Sequence, residues 1–364
     1  MSRNEVGRKS SARRNDAIAA TAVIAGPVSG YRRVMEQRTL GRTGRAVSVV
    51  GLGTWQLGGD WGTVGDDDAM AVLGAAVESG ITLFDTADVY GDGRSEQLIG
   101  QFLAAHPGAG VFVATKMGRR VEQLPENYVL SNFREWNDRS RRNLGVDRLD
   151  LVQLHCPPSA VYRSDEVFDA LDTMVDEGRI AHYGVSVETV AEALTAIARP
   201  NVASVQIILN AFRQKPLEQV LPAAESAGVG ILARVPLASG LLSGRYTKDT
   251  SFAETDHRNF NRHGEAFDVG ETFAGVDFET GVEAAHQFAA LAQAEPGSPP
   301  AAALALRWII DQPGVTAVIP GARNAEQAQG NAAAADLAPL DEPARATVRD
   351  IYDHRIRPLV HDRW

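Results

Sequence analysis

The chain has 364 residues, and 44% of them are hydrophobic, which is enough to build a large core. Its 46 acidic residues exceed its 36 lysines and arginines and give a net charge of −10, which argues against a nucleic-acid partner. The single cysteine, Cys156, excludes an internal disulfide framework and fits a reducing compartment, so we expect a cytoplasmic protein.

Residues 1–34 differ in composition from the rest of the chain. They contain seven lysines or arginines against two acidic residues. We interpret them as a disordered leader or as the product of a start codon placed upstream of Met35. A twin-arginine export signal at Arg13 and Arg14 is less favoured, because the apolar stretch AIAATAVIAG that follows is short. No apolar run in the sequence approaches the roughly 20 residues that span a bilayer, so we expect no membrane partner.

Residues 35–364 are predicted to form a single domain, in which short β-branched runs alternate with helical patterns. The segment TLGRTGRAVSVV predicts an opening hairpin with Gly41 and Gly44 as turn residues. Strands are then predicted at residues 49–52, 81–84, 111–115, 149–154, 181–185, 205–209, 230–233 and 315–319. Helices are predicted at residues 67–79, 95–105, 132–144, 166–177, 189–197, 217–227, 300–311 and 324–335.

This alternation, with nearly continuous apolar strands, predicts a parallel sheet that is buried on both sides. Eight units favour an α/β fold of the (β/α)8 TIM-barrel type, with an N-terminal hairpin and an insertion after strand 7 at residues 244–280. An open dinucleotide-binding sheet is disfavoured, because Gln56 stands where the third glycine of the fingerprint begun by Gly51 and Gly53 should be. The sequence also lacks the phosphate-loop, GxSxG and HExxH motifs.

Four polar residues stand at or just past the ends of successive apolar runs: Asp85, Tyr90, Lys116 and His155. Because the carboxyl ends of barrel strands converge on one face, we expect these side chains to meet there. Tyr90 is the candidate general acid, and the Lys116 ammonium would favour its phenolate and so lower its pKa. Asp85 would keep the buried amine charged, and His155 would hydrogen-bond a substrate oxygen.

Each of these residues also has a purely structural interpretation. An Asp–Lys pair inside a barrel is often a structural salt bridge, a tyrosine can be a loop aromatic, and a histidine can be a satisfied core residue. Composition favours catalysis, because the chain has only four lysines, and one of them, Lys116, directly follows an apolar strand.

The segments GLGTWQLGG, FDTADVYGDGRSE, VATKMG and LVQLHCPP together resemble the aldo-keto reductase superfamily, and the likeness runs from Met35 to Ala338. Later segments such as GRIAHYGVS and LALRWIIDQPGVTAVIPGARN look like the branch that includes potassium-channel β-subunits. The resemblance implies a TIM barrel that binds NADP(H) and interconverts carbonyls (aldehydes or ketones) and alcohols. It assigns Asp85, Tyr90, Lys116 and His155 to catalysis.

Barrels often hold phosphate by the loops after their last two strands, which here are PLASGLLSGR and IPGARN. The resemblance places the remaining cofactor-binding residues as follows: Thr54, Ser186 and Gln206 on the nicotinamide side, Leu237, Gly240, Leu241 and Ser243 along the pyrophosphate, Gly321 and Arg323 near the 2′-phosphate, and Gln327 and Asn331 at the adenine. Taken singly, the glycines are equally typical of turns, and Arg323 of a helix-terminal surface residue. A bidentate Arg323 would favour NADP over NAD.

The sequence departs from the family pattern at the nicotinamide. Arg234 stands where many relatives stack an aromatic ring, so its guanidinium plane would have to stack instead. Val187 stands where an asparagine often contacts the carboxamide, and Gly330 stands where an acidic residue commonly precedes Asn331.

The substrate is a small carbonyl compound or alcohol that the sequence does not specify. Trp55 and Trp61 are predicted to wall its pocket, although a tryptophan in such a place is equally typical of a lid over the barrel mouth. We expect no metal, because His257 and His263 in the insertion lack cysteine partners or a helical spacing. The alternative function is a redox-sensing NADP-binding module that acts through a protein partner. Oligomeric state is left open.

Overall fold

A computed structural model describes residue 1, residues 34–59 and residues 64–364. The predicted leader therefore lies outside the described residues, apart from Met1 and Val34. Trp61 lies outside them as well. No helix within the described ranges is long and apolar enough to cross a membrane.

The predicted hairpin is present as β1 (Gln37–Thr39) and β2 (Ala46–Ser48), which pair antiparallel. Its turn closes the bottom of the barrel, where Gly41 adopts a φ of +46°. A Cβ atom at this position would lie 2.2 Å from Ala203 O and from Gly230 N, so the close approach to the barrel strands requires glycine.

Eight parallel strands follow and confirm the predicted barrel. They are β3 (Leu52–Gly53), β4 (Leu83–Asp85), β5 (Phe112–Met117), β6 (Leu149–His155), β7 (Ile180–Ser186), β8 (Val202–Ile208), β9 (Gly230–Arg234) and β10 (Ala317–Val318). Each strand pairs with the next along the chain. Parallel bridges of Val50 with Val318 and of Gly53 with Gly321 close the ring between its first and last strands.

Helices pack outside this barrel. Their bounds are α1 (Asp66–Glu78), α2 (Arg94–Ala105), α3 (Leu130–Leu144), α4 (Asp165–Asp176), α5 (Val190–Ile197), α6 (Pro216–Ala227), α7 (His257–Phe260), α8 (Phe278–Ala294), α9 (Ala301–Ile310), α10 (Ala325–Ala333), α11 (Glu342–Ile351) and α12 (Arg357–Val360). Local capping signals determine where several helices begin. At the start of α5 a capping box forms, in which the Thr189 hydroxyl accepts from Glu192 N and the Glu192 carboxylate accepts from Thr189 N. Helices α7, α8, α11 and α12 were not among the predicted ones.

The insertion after the seventh barrel strand, β9, is confirmed. Between β9 and α8 the chain forms the single-turn helix α7 and several 3-10 turns, including Ala238–Ser243 and Val269–Glu271. This segment lies against the carboxyl ends of the strands, since its residues Tyr246, His257 and Glu271 line the cavity that opens there.

Candidate active site

The catalytic candidates share the inward-facing register of their strands. Alternate residues of a strand face the same side, and Leu83 and Ala114 belong to an apolar cluster inside the barrel. Two positions further along the same strands come Asp85 and Lys116, and His155 ends β6. The interior is therefore apolar at mid-height and polar at the carboxyl end of the strands.

Lys116 is the centre of a buried polar cluster. Its Nζ donates to Asp85 Oδ1 at 2.5 Å, to Thr86 O at 2.9 Å and to the Tyr90 hydroxyl oxygen at 3.3 Å. Three donor hydrogens of the ammonium are thus matched by three acceptors. The structure brings together the acid, the amine and the phenol that the sequence predicted.

The Asp85 carboxylate is held by two amides as well. Gln206 Nε2 donates to Asp85 Oδ2 at 2.7 Å, and Gln153 Nε2 donates to the same oxygen at 3.3 Å. Gln206, which was predicted to face the nicotinamide, lines the cavity, and its amide also fixes Asp85. Gln153 was not predicted, although its place two residues before His155 puts it on the same inward face of β6.

The structure corrects the expected direction of the Tyr90 pKa. Burial raises the pKa of Tyr90, and this effect outweighs the Lys116 ammonium, which lowers it. Burial lowers the pKa of Lys116, but Asp85 and Tyr90 together outweigh burial, and the pKa of Lys116 is raised. At neutral pH the pair is therefore a neutral phenol beside a charged ammonium, which is the state that an acid needs before it donates.

His155 is the fourth member and is uncharged. Burial, supported by the positive charges of Arg119, Lys116 and Arg234, holds the pKa of His155 well below its usual range. Its ring lies edge-on to that of Tyr90, with 6.0 Å between the ring centroids. Among the described residues its Nδ1 has no hydrogen-bond partner. A neutral imidazole here can donate one hydrogen bond to a bound oxygen without competing for the phenol proton.

A cavity of about 340 Å³ opens at this end of the barrel. Most of the predicted site residues line it: Thr54, Trp55, Asp85, Tyr90, His155, Ser186, Gln206, Arg234, Leu237, Gly240, Gly321, Arg323 and Gln327. Lys116 does not line it and reaches it through Tyr90. Gln56 and Ser239, which were not predicted, line it too, and the buried Gln56 Oε1 has no hydrogen-bond partner among the described residues.

The loop after β9 adopts a strained path along the cavity. Val235, Ala238 and Ser239 have φ values of +53°, +46° and +55°, which non-glycine residues rarely adopt. Such strain is concentrated at functional sites. Of the predicted pyrophosphate residues, Leu241 is fully buried and the Ser243 hydroxyl donates to Gly240 O at 2.7 Å, so neither side chain lines the cavity.

The loop after β10 leads into α10 at the other end of the cavity. The Asn324 side chain caps the helix by accepting from Gln327 N at 2.9 Å. Gln327 Oε1 in turn accepts from Arg323 N at 2.9 Å. Asn331 lies outside the cavity and donates to Gly321 O at 3.1 Å, so it supports the loop. A helix N-terminus with an exposed arginine beside it is typical of an anion site.

Trp55 lines the end of the cavity at which Tyr90 and His155 lie, which we call the reaction end. Its ring stacks near Tyr90 at a centroid distance of 6.0 Å and contacts the insertion through His257 at 5.5 Å and Phe267 at 5.8 Å. The predicted wall residue Trp55 thus lies beside Tyr90, and both line the cavity.

The chain matches the family model of the Aldo/keto reductase family over residues 49–353. The protein belongs to the aldo-keto reductase family. This confirms the expected oxidoreductase class and the resemblance read from the sequence.

Relatives agree with this assignment. The chain is 31% identical to aldo-keto reductase YhdN of Bacillus subtilis over 297 residues, covering 80% of this chain and 86% of the relative. It is 29% identical to a probable voltage-gated potassium channel subunit beta of Oryza sativa over 331 residues, covering 85% and 94% of the two chains.

Solved structures show the same fold. Glycerol dehydrogenase from Gluconobacter oxydans superposes with a TM-score of 0.72 at 29% identity, covering 90% of this chain and 97% of that chain. An aldo-keto reductase from Klebsiella pneumoniae in complex with NADPH superposes with a TM-score of 0.65 at 25% identity, covering 88% and 96%.

In this aldo-keto reductase, Arg234 is not a lone cation. Its Nη2 donates to Glu188 Oε2 at 2.7 Å, and its Nη1 lies 3.2 Å from Glu271 Oε1. Neither glutamate was predicted as a site residue. The sequence carried no signal for their pairing, because Glu188 follows β7 and Glu271 belongs to the insertion.

Proposed function

We propose that this aldo-keto reductase is NADPH-dependent and interconverts aldehydes or ketones and alcohols, with Tyr90 as the general acid and base. The contact that carries the proposal joins Lys116 Nζ and the Tyr90 hydroxyl at 3.3 Å, on the wall of a cavity that neutral His155 also lines. A proton donor, a cation that stabilises its conjugate base and a second hydrogen-bond donor are what carbonyl reduction requires of the protein.

When bound, the nicotinamide nucleotide supplies the hydride that no side chain can supply. Tyr90 donates its proton to the carbonyl oxygen as negative charge grows there. The Lys116 ammonium stabilises the phenolate that remains, and Asp85 keeps that ammonium charged in its buried position. His155 donates a hydrogen bond to the same oxygen and so orients the substrate. In the alcohol direction Tyr90 accepts the proton.

The residues along the cavity fit a phosphorylated dinucleotide. Near Gly321, Arg323 and the start of α10, the N–H groups and dipole of the helix favour an anion. The Arg323 guanidinium offers parallel donors that suit a phosphate group, which supports NADP over NAD. Gln56 Oε1, buried and without a partner among the described residues, offers a further polar contact beside Gly321. Thr54 and Ser186 are proposed to face the nicotinamide.

The test is Tyr90→Phe, assayed by NADPH oxidation over a panel of aldehydes and ketones. Loss of the acid should lower kcat by about 10²–10⁴-fold while leaving NADPH affinity unchanged. The matched control is Tyr183→Phe, because Tyr183 donates to Asp172 Oδ1 at 2.7 Å and does not line the cavity. Turnover that Tyr90→Phe leaves intact would disprove the assigned role.

The NADP preference is tested by Arg323→Ala. We expect NADPH to bind about tenfold to a hundredfold more weakly, because a charge-assisted bond to a phosphate is lost, while NADH affinity stays the same. Arg349→Ala is the control, since Arg349 pairs with Glu342 on α11 and does not line the cavity. Equal catalytic efficiency of the wild type with NADH and NADPH would contradict the preference.

The redox-sensing alternative stays a prediction, and the same carbonyl panel separates it from the enzyme. A binding module would hold NADPH and show no turnover on any substrate, whereas the proposed reductase turns over at least one and loses that turnover in Tyr90→Phe.

A further inference from the structure

Four charged side chains form a quartet at the carboxyl end of the barrel: Arg234 and Glu271 are buried, and Arg119 and Glu188 are half-buried. The two Arg234 contacts with Glu188 and Glu271 are 2.7 Å and 3.2 Å long. Arg119 Nη2 lies 3.4 Å from Glu188 Oε1 and 3.6 Å from Glu271 Oε1. Two cations thus share two carboxylates, and the net charge of the quartet is zero when all four are ionised.

The quartet is assembled from four separate parts of the chain. Arg119 follows β5, Glu188 follows β7, Arg234 ends β9, and Glu271 lies in the insertion. Arg234 and Glu271 line the same cavity as Tyr90 and His155.

The charges of the quartet change the pKa values of the groups at the reaction end of the cavity. Arg234 Nη2 donates to Val187 O at 3.2 Å and lies 3.7 Å from Cys156 Sγ, next to the strand ends that carry His155 and Ser186. Burial is the largest influence on the pKa values of His155 and Tyr90, but Arg234 further lowers the first and Glu271 further raises the second.

We propose that this quartet sets the relative affinity of the site for the oxidised and the reduced nucleotide, an inference that rests on the proposed NADP-binding function. The oxidised nicotinamide ring carries a positive charge that the reduced ring lacks. Arg234 therefore disfavours NADP⁺, and Glu271 favours it. Because both side chains are buried, water screens their charges poorly and one unit of charge has a large effect.

The ratio of the dissociation constants of NADP⁺ and NADPH reports this effect, since the two nucleotides share all their phosphate and adenosine contacts. Tryptophan fluorescence titrations would measure it at about pH 8, above the pKa of Glu188, which burial raises to about 7. Arg234→Met should lower the ratio about tenfold, and Glu271→Gln should raise it about tenfold. Arg234→Lys keeps the charge and should keep the wild-type ratio, even if both affinities fall.

Lys248→Met is the matched control, because it also removes one cation but at an exposed position paired with Glu283 and outside the cavity. A purely structural role would weaken both nucleotides alike and leave the ratio unchanged. If wild type binds both nucleotides and the ratio stays constant in Arg234→Met and Glu271→Gln, the inference is overturned. If Arg234→Met fails to fold, Glu271→Gln decides alone. A ratio that rises supports the inference, and a ratio that falls or stays at the wild-type value overturns it. Failure of wild type to bind either nucleotide would instead overturn the proposed function.

Discussion

Replacing Lys116 by methionine should damage stability and activity for two separable reasons. The substitution leaves the buried Asp85 carboxylate without the ammonium that lies 2.5 Å away. Breaking a buried ion pair from one side costs about 3–5 kcal/mol. Gln206 at 2.7 Å and Gln153 at 3.3 Å still donate to Asp85. We therefore expect the lower end of that range, about 3 kcal/mol, in the free energy of unfolding measured in urea.

Activity should fall much further, by about 10²–10⁴-fold in kcat, because the phenolate of Tyr90 loses the cation 3.3 Å away that stabilises it. The double variant Lys116→Met with Asp85→Asn separates the two effects. It removes the unpaired charge and should recover most of the lost stability, yet its NADPH oxidation should stay as slow as in the single variant. A double variant that regains turnover would refute the role of Lys116 in proton transfer, and an undiminished stability of Lys116→Met would refute the ion-pair argument.

Two further predictions concern residues outside the reaction centre. Burial is the main reason why the pKa of Asp88 is raised from 3.8 to about 7. The folded state therefore holds this proton more tightly, and ionisation should destabilise folding progressively between about pH 4 and pH 7, by up to about 4 kcal/mol. Urea unfolding at about pH 5 and pH 8 should show about 3 kcal/mol of this loss in the wild type but not in Asp88→Asn, and equal losses would contradict it. Trp364 Nε1 donates to Asp268 Oδ1 at 3.1 Å, and the Arg213 guanidinium lies 3.6 Å from its ring centroid. Trp364→Ala should loosen this part of the insertion and speed proteolysis within residues 244–277 several-fold, whereas an unchanged cleavage rate would show that the contact does not hold the segment.

Much of the fold follows from local sequence. The strands are short β-branched runs, and their order with the helices is sufficient to predict a closed parallel barrel. Helix α8 was missed because more than half of its buried residues are alanine or glycine, which gives a weak hydrophobic period. The short insertion helix α7 has no such period at all, and its position depends on the contacts of His257 with Trp55.

Strand periodicity and chain order are local properties, so they were sufficient to predict which residues stand at the ends of the barrel strands. How those residues ionise, and which partners hold them, depends on the folded barrel. The Tyr90 pKa depends on burial, which no motif records. Asp85 and Gln206 are 121 residues apart, and Glu188 and Arg234 are 46 apart, so their pairings exist only once the barrel has closed. Electrostatic interactions depend on distance through space, and that distance is set by the fold.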